Sequence, residues 1–109
     1  MKSISEIKRE LEKLKPLLKE RFKVKRIGIF GSYLRKEAKK GSDLDILVEF
    51  SEPIGFFKFI ELEDFLSQKL RLKVDLVLKK ALKPFIKESI LKETIYLWKE
   101  ITDFTSMTF

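Results

Sequence analysis

The sequence predicts an α/β sandwich, strictly an α+β domain, in which a small mixed β-sheet carries helices on one face. Three observations point there. The periodicity reads helix, strand, strand, helix, strand, helix along 109 residues, an order that suits two packed layers. The second and third candidate strands set an apolar row on one face, Leu44, Ile46, Val48 and Phe50 in one and Val74, Leu76 and Leu78 in the other. Both are interrupted by aspartates, which strands ordinarily avoid.

The elements follow in chain order. Ser3 with Glu6 has the form of a capping box. Ile4, Ile7, Leu11, Leu14, Leu18 and Phe22 then recur at helical spacing, with Lys, Arg and Glu on the other face. Pro16 falls inside this helix and is expected to kink or split it. Val24 to Phe30 reads as the first strand, ended by Gly31-Ser32. A short helical turn is expected around Leu34 to Ala38. Gly41-Ser42 marks a turn, and Asp43 to Phe50 reads as the second strand. There Leu44, Ile46, Val48 and Phe50 share one face, while Asp43, Asp45, Leu47 and Glu49 share the other. Asp43 and Asp45 are then about 7 Å apart by strand rise. After a loop containing Pro53, a second helix is expected from Phe56 to about Leu70, with Phe59, Leu62, Leu66 and Leu70 buried. Lys73 to Leu78 repeats the strand pattern, with Asp75 on the face opposite Val74 and Leu76. Pro84 suits the first turn of a third helix running to about Lys92. Thr94 to Trp98 is either its continuation or a short strand. Residues 1–101 are read as a single domain and 102–109 as a C-terminal tail.

Composition narrows the chemistry. The chain has no cysteine and no histidine. That removes disulfides, thiolate catalysis and cysteine-bound zinc, and leaves carboxylate, lysine or tyrosine as general base. No apolar run reaches membrane-spanning length and no signal-peptide core opens the chain, so a cytoplasmic protein without a membrane role is expected. The net charge of +7 suits an anionic partner such as a nucleotide, RNA or an acidic protein. A solubilising lysine-rich surface explains the same charge equally well.

The aspartates carry the functional signal. Asp43, Asp45 and Asp75 fall on one uncovered sheet face, and a carboxylate taken from water without a partner is costly. A divalent cation carrying phosphate offsets that cost best. Mg²⁺ takes oxygen ligands at about 2.1 Å and keeps positions for substrate phosphate. One ion or two are compatible with this donor set; a pair about 3.5–4 Å apart would hold both oxygens of an in-line displacement. Asp43 and Asp45 would bridge the metal, and Asp75 would hold it and accept a proton from the attacking hydroxyl. Gly31 lets phosphate approach the backbone, Ser32 can donate to it, and Arg35, a turn later, can reach a triphosphate.

The joint pattern resembles the minimal nucleotidyltransferases of the DNA polymerase beta superfamily. The matching segments are Gly31-Ser32-Tyr33-Leu34-Arg35-Lys36-Glu37-Ala38, Ser42-Asp43-Leu44-Asp45-Ile46-Leu47-Val48-Glu49-Phe50 and Val74-Asp75-Leu76-Val77. The resemblance implies the polymerase beta-like fold, Gly31 and Ser32 on the triphosphate, and Asp43, Asp45 and Asp75 on magnesium. It implies ATP as substrate, with AMP passed to a hydroxyl, a tyrosine in some relatives, of an all-helical HEPN ribonuclease toxin whose antitoxin this chain would be. Two positions depart from the pattern: Tyr33 stands where many members are basic, and Lys36 where many have glycine.

The chain has room for a catalytic core and little else, so the acceptor must come from a partner or from a second copy. Phe56, Phe57, Trp98, Phe104 and Phe109 are candidate contact residues, although core or tail positions explain single aromatics as well. The rival readings are an antitoxin that neutralises by binding alone, and transfer to a small molecule or RNA. Nucleic acid is the less favoured partner, because the chain lacks an aromatic-rich basic strand.

Overall fold

Ser3 opens the first helix as its spacing predicts: in the computed structural model, which describes residues 2–98, the backbone N–H of Glu6 donates to Ser3 Oγ at 3.2 Å. Helix α1 spans Ile4–Phe22 and closes on Lys23 in the left-handed conformation. It runs unbroken through Pro16. Proline removes one helical N–H, and the carbonyl it orphans belongs to Glu12, on the exposed side of the helix, where water can satisfy it.

Strands β1 (Val24–Phe30), β2 (Leu44–Phe50), β3 (Val74–Leu78) and β4 (Ile95–Tyr96) form one sheet in the order β3-β2-β1-β4. β2 and β3 are parallel and are joined through helix α2 (Phe56–Leu70); both other pairings are antiparallel. The sheet is therefore mixed, as the sequence predicts. β2 and β3 each begin one residue after the expected aspartate and lysine. The Thr94–Trp98 segment resolves as strand, not helix, and Gly28 makes room for it. A Cβ on Gly28 would lie 2.5 Å from Thr94 Cγ2 and 3.2 Å from the Ile95 carbonyl oxygen.

One face of the sheet is covered by α1 and α2. Ile7, Leu11, Leu18 and Phe22 of α1 and Leu62, Leu66 and Leu70 of α2 pack with Ile27, Ile29, Leu44, Ile46, Val48, Val74 and Leu76. This burial is the main stabilising term of the fold. A single 3₁₀ turn, Lys79–Ala81, leads to helix α3 (Pro84–Glu93), which begins on its proline as expected. α3 departs from the predicted layer: it buries none of its side chains, and Phe85 is 80% exposed. Trp98 is 2% exposed and belongs to the core, so it offers no contact surface. Phe56 and Phe57 are exposed and stacked edge to face. The predicted tail, with Phe104 and Phe109, lies outside the described residues. No helix among the described residues is long and apolar enough to cross a membrane.

Candidate active site

Strand alternation sends Leu44, Ile46 and Val48 into the core and leaves Asp45, Leu47 and Glu49 on the opposite face. The parallel register then sets Asp45 directly beside Asp75, and the antiparallel one sets Phe30 beside Asp45. Three segments remote in sequence therefore converge at one end of the sheet face opposite the helices, where Leu47 beside them is fully buried. Asp45 and Asp75 stand side by side on neighbouring strands, with Asp43 two residues upstream. Burial first, then the charges of Asp75 and Asp43, raise the Asp45 pKa to about 6; Arg35 pulls it the other way.

Gly31 meets this cluster at very close range. Its φ is +82°, a region that other residues enter at a cost. A Cβ there would lie 2.0 Å from Asp45 Oδ2. After Gly31 the chain turns tightly. The amides of Leu34 and Arg35 both donate to the Gly31 carbonyl at 3.1 Å, and the amide of Glu37 donates to that of Ser32 at 2.8 Å. The turn covers residues 32–36, earlier than the Leu34 to Ala38 the sequence suggests. Ser32 is half-buried at its start, beside Gly31. Tyr33 is buried and part of the core, which accounts for an apolar ring where a basic residue was the pattern. Lys36 adopts φ +61°, a conformation suited to the glycine that the resemblance places there.

The donor set fits a hard divalent cation. As the side chains stand, no three acidic groups among the described residues close round one point; Asp43 Oδ1 lies 3.8 Å from Lys73 Nζ. Yet Asp75 is exposed and Asp43 half-buried, so neither is packed into its present rotamer. The donors are all oxygen, the ligand type that a hard divalent cation takes.

Arg35 was expected to be free for phosphate. It is instead held by two carboxylates: Nε donates to Glu37 Oε1 at 2.5 Å, and Nη1 to Glu93 Oε1. Together these pairings raise its pKa above the ordinary arginine value. Nothing local in the sequence signals the Glu93 contact, because 58 positions separate the two residues.

A mixed sheet with helices on one face, acidic side chains on the other and a glycine turn at the carboxylate end is the architecture of a nucleotidyl-transferring enzyme. The chain belongs to the nucleotidyltransferase domain family, whose model matches residues 11–97, and its activity is that of a nucleotidyltransferase. It is 50% identical over 97 residues, 89% of this chain and 98% of the relative, to the protein adenylyltransferase MntA of Thermococcus cleftensis. It is 58% identical over 98 residues to MJ0128 of Methanocaldococcus jannaschii, covering 89% of this chain and all of that protein. Among solved structures, a toxin-antitoxin complex with AMP-PNP contains a chain that superposes with a TM-score of 0.71 at 26% identity, covering 88% of this chain and 76% of that one.

Proposed function

We propose that this protein transfers AMP from ATP, with Mg²⁺, to a hydroxyl group of a partner protein, the hydroxyl oxygen bonding the α-phosphorus as the α–β anhydride bond breaks and pyrophosphate leaves, and that the partner is a HEPN-type toxin which the modification silences. The observation that carries the reading is the Asp45–Asp75 pair, two carboxyl groups that the parallel register sets side by side, with Asp43 two residues upstream. The 50% identity to a protein adenylyltransferase supports the transfer, and the likeness to a toxin-antitoxin structure with AMP-PNP supports the nucleotide and the setting.

Each side chain then has a task. Asp43 and Asp45 hold the metal, with Asp75 completing the set. Mg²⁺ bound there would neutralise triphosphate charge that the carboxylates alone repel. Gly31 keeps the turn clear of any side chain, so a phosphate can lie against its backbone. The Ser32 hydroxyl and the Arg35 guanidinium donate to phosphate oxygens. Asp75, the most exposed of the three acids, faces the incoming hydroxyl and takes its proton.

The deciding experiment uses the protein with its co-purified partner, Mg²⁺ and α-labelled ATP. Label and the mass of AMP should appear on the partner, and should vanish with Asp43→Ala and with Asp45→Ala while both variants stay folded. Transfer that persists in both variants overturns the reading. Silencing of the partner with no mass added leaves the protein as a binder.

A further inference from the structure

Arg35 joins the phosphate turn to an element that the catalytic reading leaves unused. Its partner Glu93 ends α3, directly before the Thr94 and Ile95 that Gly28 accommodates. Its other partner, Glu37, lies in the turn itself. The guanidinium is 52% exposed, whereas Glu93 is only 24% exposed, so the carboxylate is the fixed member of the pair. The Arg35 backbone N–H donates to the Gly31 carbonyl at 3.1 Å, and a Cβ on Gly31 would lie 2.0 Å from Asp45 Oδ2, so the turn that carries the cation abuts the acidic cluster. Two of its five N–H donors are engaged, and the rest are left for an incoming oxyanion.

From this arrangement we infer that Glu93 is a positioning residue for nucleotide binding. It holds the Arg35 guanidinium beside the carboxylate cluster before the triphosphate arrives, with Glu37 fixing the second edge of the fork. The inference rests on the assignment of Arg35 to the triphosphate. An exposed ion pair contributes little to folding, and folding is not the role argued here. A long arginine side chain loses rotamer freedom when it binds phosphate, and a carboxylate that has already restricted it removes that cost from the binding step. A planar fork gripped along its edge also keeps its orientation, which a point charge would not.

The test is a double-mutant cycle on affinity for Mg²⁺ and a non-hydrolysable ATP analogue, measured by calorimetry. Glu93→Ala should weaken binding about three- to tenfold, the range expected for re-ordering one long side chain. Glu93→Gln, which keeps the acceptor and loses the charge, should recover part of the loss. In an Arg35→Ala background, Glu93→Ala should change affinity no further. The melting temperatures of the two Glu93 variants should match the parent, which separates positioning from a structural role. Equal affinity in Glu93→Ala, tighter binding, or a loss that persists without Arg35 would each overturn the inference. Failure of the parent protein to bind the analogue would instead defeat the nucleotide reading on which it rests.

Discussion

The sheet face opposite α1 and α2 has two acidic ends, and they are built in opposite ways. Asp45 and Glu49 lie on the same face of β2, about 13 Å apart by strand rise. Glu49 is answered by two cations, Arg26 Nε at 3.9 Å and Lys79 Nζ at 3.5 Å. Arg26 is fixed in turn over the Tyr96 ring, its guanidinium 4.0 Å from the centroid. Asp45 is answered by two more carboxylates, and Arg35, whose field reaches it, is committed to Glu37 and Glu93. One strand thus carries a compensated carboxylate at its end and an uncompensated one at its start. The contrast on one strand supports the cation site proposed at the start of β2, where Lys73 Nζ lies 3.8 Å from Asp43 and the register sets a second carboxylate, Asp75, beside Asp45.

The largest effect that would sharpen this contrast is on catalysis. Asp45→Asn should lower transfer by about a thousandfold or more, as loss of a metal ligand and its charge generally does. Glu49→Gln should leave transfer near the parent rate. Equal loss in both, read from labelled transfer, would break the comparison. Next is Gly31→Ala, in which a methyl group must enter a left-handed turn and displace the Asp45 carboxylate. A loss of about 2 kcal/mol or more of stability is expected from strain and overlap together, with nucleotide binding lost as well. A chemical melt and calorimetry read the two effects.

The third prediction concerns pH. The folded-state pKa of Asp45 is raised from 3.8 to about 6, so the folded protein binds that proton more tightly than the unfolded chain does. The stabilisation is complete below about pH 4 and is lost as pH rises through about 6. In metal-free buffer the melting temperature should therefore fall by a few degrees between pH 5 and pH 7.5, a scale set by the size of the domain and softened by solvent screening. Mg²⁺ should restore those degrees at pH 7.5 and do little at pH 5. The smallest effect is at the compensated end: Glu49→Gln should cost about 1 kcal/mol or less, independent of Mg²⁺. A Mg²⁺-dependent change there would blur the distinction.

Much of this was legible in the chain, and the rest was not for identifiable reasons. β1 and α2 begin and end where the periodicity places them, because apolar spacing and bounding glycines act locally. The convergence of Asp45 and Asp75 also follows from alternation within each strand once the sheet is mixed. The unbroken α1 depended on which side of the helix Glu12 faces, a tertiary fact. The apolar pattern of α3 suggests a packed helix, yet Phe85 and Ile86 stay exposed and Ile90 and Leu91 are only partly covered by the described residues. The Arg35–Glu93 pairing needs the path of α3 across the molecule, and no spacing rule encodes it. Tyr33 looked like a departure at the site and is a core residue beneath it.

The side-by-side register of Asp45 and Asp75 makes the active centre its own proofreader. Sliding β3 by a single residue would swing Asp75 under the helices and push Val74 and Leu76 into water, a rearrangement the hydrophobic interior would strongly oppose. Correct assembly of the acidic centre is thus enforced by hydrocarbon on the far side of the same strands. A misaligned molecule would unfold before it could bind anything wrongly.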